Sequence, residues 1–334
     1  MTIQVIKPGA LSTIQDLGRV GYQRFGVVGG GVMDQWAHRL ANLRVRNGEQ
    51  EATLEITLLG PSLRFRQTAL IAVCGADLSP RIGEHALPVG RPLLVRNGSQ
   101  IDFGRRMSGA RAYLAVHGGF DVAPVMHSKS TYVRGAFGGL GGRALRKGDE
   151  IGIGRSNGQA CYPQLAGALF DSDHPFATLP DALLAPVTDE APQTVRVIAG
   201  QQWQAFTKEA QAQFLAAEFR ISMQSDRMGY RLEGPQLGLR APLEMISEAV
   251  CFGTIQVPPD GNPIILMADR QTTGGYPKIA SVASVDLPLL AQMMPHQTVR
   301  FSLVTLDEAQ RLYLAREQDI GRIRQAITQL NKGA

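Results

Sequence analysis

Cysteine, aromatic residues and long apolar runs are all scarce in this sequence of 334 residues. Cys74, Cys161 and Cys251 show no pair spacing, which favours a reducing compartment and predicts that each is a small buried hydrophobe. No stretch approaches the roughly 18 to 20 consecutive apolar residues that a membrane-spanning helix needs. The N-terminus has no basic segment followed by an apolar run, so no signal peptide is predicted. We therefore expect a cytoplasmic protein without disulfides or a membrane segment.

Nucleotide, metal and biotin motifs are absent as well. The P-loop pattern G-x-x-x-x-G-K-[ST] does not occur, so any ATP used in the reaction is not expected in a Walker A site on this chain. The histidines include no H-x-x-x-H pair, and no cysteine lies near a histidine at ligand spacing, so no metal site is predicted. A biotinylation motif of the Met-Lys-Met type is missing. Any biotin would have to arrive on another polypeptide.

Two short motif matches lack the context that their chemistry requires. Residues 154–158 match the nucleophile elbow G-x-S-x-G, but the residues that follow are a poor helix start, so a plain turn around Ser156 is predicted. Residues 139–144 match G-x-G-x-x-A, yet residues 145–149 predict a turn and then a strand. A dinucleotide site needs a helix there to hold the pyrophosphate. Neither a catalytic serine nor a dinucleotide site is predicted.

What the sequence does have is positive charge, with a net charge of +5 at pH 7. The basic runs at 44–46, 64–66 and 105–106 are short, and acidic and apolar residues separate them. A nucleic-acid footprint would be a continuous basic stripe within a recognisable module. Nucleic-acid binding is therefore not predicted, and the charge is assigned to a solvated face or to the handling of anions and carboxylates.

Short apolar runs bounded by glycine, proline and asparagine dominate the sequence, and they predict strands. Helices are predicted at 34–46, capped by Asp34, at 201–217, and from Thr305, which has capping-box spacing to Glu308. Strands do not alternate regularly with helices. This pattern favours a mainly β protein with some α, built from β-barrels, over a doubly wound parallel sheet.

A change in composition divides the sequence into two lobes. Residues 156–194 are rich in Gly, Pro, Ser and Asp and show no sustained period, which predicts a linker or a crossing loop. We predict a β-rich N-terminal lobe at 1–155 and a C-terminal lobe with a final helix at 195–334. The length of the chain is in keeping with two domains.

Four polar segments that contain glycine are unusual for simple packing. Glycine permits close backbone approach, and the Asp, Arg, Gln and Thr side chains around it supply charge and directional hydrogen bonds. Polar loops at the ends of buried strands are frequent binding sites. The segments are residues 13–19 with 31–34, residues 117–121, residues 225–232 and residues 268–277.

Taken together and in this order, the four segments resemble the KipA/5-oxoprolinase C-subunit family. This is the biotin-dependent carboxyltransferase class once described as allophanate hydrolase subunit 2, and its relatives form part of the carboxyltransferase domain of urea carboxylase. The resemblance spans residues 3 to about 305. Two departures from the family pattern are Gly29-Gly30, where relatives carry a more polar stretch, and Gly141, where a glutamate is common.

The resemblance implies a fold, partners and a reaction. It implies cyclophilin-like β-barrels and a tight association with a KipI-like B subunit. With a further A subunit, such proteins cleave 5-oxoproline to glutamate at the expense of ATP, so the resemblance implies a hydrolase that acts on a cyclic amide. In the urea carboxylase branch, a carboxyl group passes from biotin to a urea nitrogen. Both reactions act on an N–C=O unit.

The loop after the apolar run 263–268 is the predicted catalytic centre. Asp269 can accept an N–H group or act as a general base. Gln271, Thr272 and Thr273 can grip the amide and polarise its carbonyl. Because a strand fixes the backbone before Asp269, we expect Asp269→Asn to abolish activity and to leave the fold intact.

The remaining candidates lie in the other three segments. Arg227 and Tyr230, next to Asp226, are predicted to bind the substrate carboxylate or a developing oxyanion, and the loops of Asp226 and Asp269 are expected to face a common cleft. His117 is predicted to shuttle a proton.

The N-terminal segments supply three further side chains of this kind. Asp16, Arg19 and Asp34 are predicted either to line the same cleft or to cap glycine turns.

Three functions remain open on the sequence. The first is the C subunit of an ATP-dependent 5-oxoprolinase. The second is a biotin-dependent carboxyltransferase acting on urea or another amide. The third is a KipA-type regulatory protein that antagonises a histidine-kinase inhibitor.

Overall fold

A computed structural model describes residues 2–154, 162–179 and 193–329. The chain divides into two compact units. The first comprises the described residues within Met1–Gly18, Asp34–Thr188 and Gln318–Ala334, and the second those within Arg19–Met33 and Asp189–Glu317. The glycine-rich segment 19–33 thus belongs to the second unit, although the sequence analysis placed it in the N-terminal lobe.

Two sheets, two complete helices and the described end of the C-terminal helix, from Gln318, form the first unit, although that helix was predicted to belong to the C-terminal lobe. The strand order is β11-β12-β1-β4-β9-β6-β7 in one sheet and β13-β8-β5-β10-β3-β2 in the other, and all their pairings are antiparallel. Part of the predicted linker is ordered here as α2 and as β13, which pairs with β8. The elements are β1 (Thr2–Lys7), β2 (Leu11–Gln15), α1 (Gln35–Arg44), β3 (Thr53–Thr57), β4 (Ser62–Phe65), β5 (Ala69–Asp77), β6 (Arg81–Ile82), β7 (His85–Ala86), β8 (Pro92–Val95), β9 (Gln100–Asp102), β10 (Ser108–Val116), β11 (Phe120–Asp121), β12 (Glu150–Ile153), α2 (Pro163–Phe170) and β13 (Phe176–Thr178).

The core of the first unit is aliphatic and draws on both sheets. Ile3 and Leu63 come from the seven-stranded sheet, and Leu54 and Ile71 come from the six-stranded sheet. Each such side chain, once fully buried, contributes roughly 1.5–3 kcal/mol to stability. β10 is buried along almost its whole length because β3 and β5 flank it and α1 also contacts it.

The helix α1 carries a buried histidine against this core. Asp34 caps the helix as predicted, since its carboxylate accepts the Ala37 amide proton at 2.9 Å. His38 is completely buried, with Nδ1 2.9 Å from the Thr53 hydroxyl and Nε2 3.0 Å from the Glu49 carbonyl. Burial lowers the pKa of His38 from 6.5 to about 4, against an opposing effect of the Glu49 hydrogen bond. His38 is therefore neutral in the folded protein at neutral pH.

A pH dependence of stability follows from this histidine. The unfolded chain takes up a proton near pH 6.5 and the folded chain only near pH 4, so the contribution of His38 is full above pH 6.5 and is lost as the pH falls towards 4. The loss amounts to about 3 kcal/mol. We expect the unfolding free energy of His38→Gln to fall less than that of the wild type between pH 7 and pH 4, by about this amount. Urea unfolding at several pH values measures it, and parallel curves for the two proteins would contradict it.

A closed barrel forms the second unit. Its strand order is β14-β21-β18-β19-β16-β15-β22, closed by a parallel pair between β22 and β14, and β17 and β20 form a separate two-stranded ribbon. Short 3-10 helices lie at Gln23–Phe25, Trp203–Ala205 and Ser284–Asp286. The elements are β14 (Gln193–Ala199), α3 (Lys208–Ala216), β15 (Phe219–Ile221), β16 (Gly229–Glu233), β17 (Glu248–Ala249), β18 (Thr254–Gln256), β19 (Ile264–Leu266), β20 (Thr273–Gly274), β21 (Lys278–Val282), α4 (Leu287–Gln292), β22 (Thr298–Leu303) and α5 (Leu306–Gln329).

The barrel has its own core. Val195, Ile255 and Ile265 are fully buried within it, and α3 packs Phe214 against Phe301 with ring centroids 4.6 Å apart. Stacked aromatic pairs of this kind contribute about 0.5–1.5 kcal/mol beyond the area that they bury. The barrel is thus a rigid support for the loops at its strand ends.

The predicted fold class, mainly β with α and with a barrel, is confirmed. The capping box at Thr305 and Glu308 forms as predicted, while the helix predicted at 201–217 is a 3-10 turn followed by the shorter α3. Within the described residues, no helix is both long enough and apolar enough to span a membrane.

The cysteine prediction is correct for one residue and wrong for another. Cys74 is buried, and burial raises the pKa of its thiol to about 12. Cys251 is exposed because it lies in the short turn that links the ribbon to β18. Cys161 and the Ser156 turn lie outside the described residues.

Candidate active site

The pairing of β16 with β19 brings two of the predicted loops together. Gly229 pairs with Leu266 in the ladder, and the pairing continues beyond the strands. Met267 donates its amide proton to the Met228 carbonyl at 2.9 Å, and Asp269 donates to the Arg227 carbonyl at 2.8 Å. Arg227 and Asp269 are therefore paired on two adjacent backbone segments, which places their side chains close together.

Arg227 and Asp269 form a buried two-pronged ion pair. Arg227 Nε donates to Asp269 Oδ2 at 2.8 Å and Nη2 donates to Oδ1 at 3.0 Å, with each side chain only 9% exposed. Nη2 also donates to the Gly31 carbonyl at 2.6 Å. The guanidinium fork thus donates to protein groups on two sides, and the predicted role of Arg227 as the anchor of a substrate carboxylate stays a prediction. Asp269 keeps carboxylate lone pairs that Arg227 does not use.

A second arginine lies beside this pair, under a glycine. A Cβ atom on Gly30 would lie 3.5 Å from Arg19 Nη1 and 3.6 Å from Asp269 Oδ1. Gly30 has a φ of +63°, a conformation that glycine adopts without strain. The replacement of the family's more polar residues by Gly29-Gly30 therefore has a structural explanation, because a residue without a side chain lets the backbone pass close to Arg19 and Asp269. Arg19 is almost fully buried, as a member of this cluster rather than as a surface charge.

A third arginine, Arg270, was missed by the sequence analysis. Its guanidinium lies 5.9 Å from the centroid of the Phe252 ring, and its Nε donates to the Val250 carbonyl at 3.3 Å. Burial lowers the pKa of Arg270 from its usual value, which for an arginine still leaves the group charged at neutral pH. Arg227 pairs with the Asp269 carboxylate, Arg19 lies near it under Gly30, and Arg270 interacts with it electrostatically. A cluster of arginines is an environment that suits an anionic ligand.

The loop that carries the predicted amide-gripping residues is tied to the ribbon. The Thr272 carbonyl accepts from the Val250 amide at 3.2 Å and from Gln23 Nε2 at 2.8 Å. Thr273 pairs with Ala249 in the ribbon, and its side chain is exposed. Gln271 is half-buried at the start of this loop.

Gln256 is a second residue that the sequence analysis missed. It lies in β18, is only 3% exposed, and its Oε1 atom makes no hydrogen bond with any described residue. Leaving a buried polar atom unpaired costs roughly 1–3 kcal/mol. A polar side chain of this kind within a strand carries no sequence signal of its own, because its exposure cannot be deduced from a three-residue element.

The other predicted residues of the second unit have structural contacts. Asp226 Oδ1 accepts the Met228 amide at 2.7 Å and the Gly229 amide at 3.3 Å, which is an Asx-type turn. Tyr230 is 3% exposed and packs in the barrel core. The predicted substrate contacts of both residues stay predictions.

In the first unit, the predicted side chains also form hydrogen bonds within the protein. Asp16 accepts from the Ser128 and Ser130 hydroxyls at 2.7 and 2.6 Å and from the Gly18 and Lys129 amides at 2.8 and 2.6 Å. This matches its predicted alternative role of fixing a glycine turn.

The other two residues of the first unit fix backbone in a similar way. Asp34 is the α1 cap described above. His117 Nδ1 lies 2.7 Å from the Val45 carbonyl, next to the end of α1, so that nitrogen carries the proton.

The loop that carries Asp269 and Gln271 ends at Gly275, Tyr276 and Pro277. These residues line one end of an apolar groove of about 690 Å³. Asp260 is the charged residue in its lining, and no arginine or lysine contributes to it. An anion is therefore better accommodated by the arginine cluster than by this groove. Among the described residues, no group of three or more His, Cys, Asp or Glu side chains could hold a metal ion.

The sequence matches the family model of the carboxyltransferase domain, subdomains A and B, over residues 25–303. The chain belongs to this carboxyltransferase-domain family. It is 36% identical to the 5-oxoprolinase C subunit of Haemophilus influenzae over 98% of this chain and 100% of the relative. It is 35% identical to the 5-oxoprolinase C subunit of Escherichia coli over 92% of this chain and 93% of the relative.

Solved structures give a second comparison for this carboxyltransferase-domain chain. The urea amidolyase of Kluyveromyces lactis matches 96% of this chain with a TM-score of 0.86 and 29% identity. The match covers only 20% of that protein. The fold of this chain therefore also occurs as one part of a much larger enzyme.

Proposed function

We propose that this chain is the C subunit of an ATP-dependent 5-oxoprolinase, which opens the amide ring of 5-oxoproline to give L-glutamate together with the A and B subunits. The observation that carries the proposal is the end-to-end match to a 5-oxoprolinase C subunit, at 36% identity over 98% of this chain and 100% of the relative. A match over the whole length of a single subunit supports that role for this chain, whereas the urea amidolyase match covers one fifth of a larger enzyme.

The arginine cluster supports this function by its chemistry. 5-Oxoproline carries a carboxylate and a lactam, so its site needs a cation and amide-binding groups. Arg270 supplies the cation, because Arg227 is committed to Asp269 and Gly31. A guanidinium that is buried against an aromatic ring pairs more strongly with a carboxylate than an exposed one does.

Asp269 supplies the proton acceptor in this account. Hydrolysis of the ring requires a water molecule to attack the lactam carbonyl and to lose a proton, and the ring nitrogen takes up a proton as the C–N bond breaks. Arg227 fixes the direction of the Asp269 carboxylate, whose remaining lone pairs can accept that proton. Gln271, Thr272 and Thr273 lie on the same loop and polarise the carbonyl. ATP supplies the driving force, and its binding is assigned to the assembly because this chain has no Walker A motif.

Arg270→Met tests the carboxylate role. A hydrogen bond to a charged group contributes about 1.5–3 kcal/mol, so we expect kcat/KM for 5-oxoproline to fall by about 10- to 150-fold. The KM for ATP should stay unchanged. Arg300→Met is the matched control, since Arg300 pairs with Glu218 on the exposed surface of the same unit, and its kinetics should be those of the wild type. Equal kinetics of both variants would remove Arg270 from the site.

The experiment that tests the function compares three mixtures: the A and B subunits, this chain alone, and all three proteins together. Each mixture is supplied with 5-oxoproline and ATP, and glutamate is measured. We expect glutamate from the complete mixture only. Glutamate formation by the A and B subunits without this chain would contradict the proposal.

A second candidate function is biotin-dependent carboxyl transfer to urea or another amide. The match to the urea amidolyase of K. lactis, with a TM-score of 0.86, favours it. Three arginines around one carboxylate are an environment that suits an anionic carboxyl donor, so the residues fit a carboxylated biotin brought by another protein. Bound biotin would supply the carboxyl group to be transferred. Carboxylation of urea with free carboxybiotin, without glutamate formation in the mixtures above, would favour this function over the first.

A further inference from the structure

A single side chain of the second unit, that of Gln23, binds both backbone segments that lead to the candidate active site. Its Nε2 atom donates to the Thr272 carbonyl at 2.8 Å and to the Val250 carbonyl at 3.0 Å. Both carbonyls lie at the end of the ribbon that β17 and β20 form. A side-chain amide has two N–H donors, and Gln23 uses both of them here. Gln23 thus joins the loop of Asp269 to the segment that precedes β18.

The turn that carries Gln23 lies at the surface of the unit. It is the 3-10 helix Gln23–Phe25, which has no buried residue. Its own backbone closes it, because the Phe25 amide donates to the Tyr22 carbonyl and the Gly26 amide donates to the Gln23 carbonyl, both at 3.0 Å. The Gln23 side chain therefore starts from a fixed backbone, and its two hydrogen bonds attach the turn to the loops of the site.

The Val250 carbonyl has a second side-chain donor, which is Arg270. Arg270 Nε donates to this carbonyl at 3.3 Å, and Nη1 donates to the Met267 carbonyl at 3.4 Å. Both distances exceed the usual N···O range of about 2.7–3.2 Å, so each bond holds the guanidinium weakly. The direction of the guanidinium therefore depends on how firmly the Val250 carbonyl is fixed. The bond from Gln23 is shorter, at 3.0 Å, and restrains this carbonyl directly.

We propose that Gln23 is a positioning residue for Arg270, because it restrains the Val250 carbonyl to which the guanidinium is bonded. Arg270 is the residue assigned above to the carboxylate of the substrate. Gln23 does not touch the substrate, and it acts on the binding of the carboxylate rather than on proton transfer at Asp269. The identity of that carboxylate rests on the proposed function, whereas the arrangement of Gln23, Val250 and Arg270 does not.

The first test removes the two donors of Gln23. Gln23→Met keeps the length of the side chain, and we expect the KM of the complete complex for 5-oxoproline to rise about 3- to 10-fold, the effect of one neutral hydrogen bond. Both kcat and the KM for ATP should stay within about twofold of the wild type, because only the binding of the carboxylate is weakened. A fall in kcat and in melting temperature without a rise in KM would show a merely structural role of Gln23 and would overturn the proposal.

Arg24→Gln is the matched control, at the next position of the same turn. Arg24 is exposed, and its guanidinium lies 4.7 Å from the ring centroid of its neighbour Phe25. Its kinetic constants should be those of the wild type. A rise in KM equal to that of Gln23→Met would mean that any change in the turn has this effect, which contradicts a specific role of Gln23.

A double variant tests whether Gln23 acts through Arg270. Once Arg270→Met has removed the guanidinium, nothing remains for Gln23 to position. Adding Gln23→Met should then raise the KM for 5-oxoproline no further. If the effects of the two substitutions multiply instead, Gln23 acts independently of Arg270 and the proposal is wrong.

Cys251 reports the position of Arg270 without turnover. Its thiol is exposed, lies between Val250 and Phe252 in the chain, and interacts electrostatically with the Arg270 guanidinium. A nearby cation favours the approach of an anionic alkylating reagent over that of a neutral one, by about threefold for a single charge about 6 Å away in water. The ratio of the alkylation rates with iodoacetate and iodoacetamide therefore measures how close the guanidinium lies.

This ratio is measured for Cys251 on the full chain, by mass spectrometry of the tryptic peptide that begins at Ala241. We expect equal ratios for the wild type and Arg24→Gln, and ratios at least about twofold lower for Arg270→Met and Gln23→Met. If the ratio falls in Arg270→Met but not in Gln23→Met, Gln23 does not position Arg270. If it falls in both while the complete mixture makes no glutamate, the proposed function fails and the positioning of Arg270 stands.

Discussion

Asp269→Asn is expected to lower turnover of the assembled enzyme by about 10²- to 10⁴-fold, the usual effect of losing a general base. Asparagine keeps the size of the side chain but cannot accept a proton. The variant should also lose stability, because the buried Arg227 guanidinium loses the negative charge of its Asp269 partner. Breaking a buried pair by removing one partner costs about 3–5 kcal/mol. Turnover assays and urea unfolding of the same preparation measure the two effects.

This expectation differs from that of the sequence, which predicted an intact fold for Asp269→Asn. The two expectations differ because Arg227 is buried against Asp269, and the sequence does not show this contact. A double variant, Asp269→Leu with Arg227→Met, separates the two effects. Replacing both members of a buried pair by apolar groups is often neutral for stability. We expect it to recover most of the lost stability and none of the lost turnover.

Asp260→Asn is the matched control in the same unit. Asp260 accepts the Asn262 amide proton from an exposed position, and asparagine can form the same turn. Its turnover and stability should be close to those of the wild type. Near-normal turnover of Asp269→Asn, or an equal loss in Asp260→Asn, would contradict the assignment of Asp269 as the proton acceptor.

The second large effect is the inactivity of the chain by itself. The sequence has no Walker A motif. Its full-length relatives bear the name of a subunit, not of a whole enzyme. We expect the purified chain to hydrolyse neither ATP nor 5-oxoproline above the level of buffer. Robust turnover by the isolated chain, after removal of traces of its partners, would contradict this.

Much of the fold could be predicted from the sequence because local chemistry decides it. Asp34 and the pair of Thr305 and Glu308 lie at helix starts, and both caps form as expected. The apolar runs at 70–73 and 111–116 became the central strands β5 and β10, since such runs have no stable place outside a core. In these cases the signal lies within a few adjacent residues.

The parts that could not be predicted depend on residues far apart in the chain. The segment 19–33 belongs to the barrel unit because Gln23 bonds to the Val250 and Thr272 carbonyls and Gly31 bonds to Arg227. No pattern within residues 19–33 predicts these distant contacts.

The candidate site shows the same limit. Asp269 and Gln271 were found because they lie in a polar loop after a buried strand, whereas Arg270 and Gln256 were not. The role of an arginine depends on whether its charge is already paired, and that of a glutamine on whether its carbonyl is satisfied. Both are properties of the folded chain alone.

The most direct test of the central claim is the ratio of ADP to glutamate formed by the A and B subunits with and without this chain. With the chain present, we predict that both products form in equal amounts and only when 5-oxoproline is supplied. Without it, we predict no glutamate. Glutamate formation at the same rate in its absence, or no glutamate in its presence, would contradict the assignment of this chain as the C subunit of a 5-oxoprolinase.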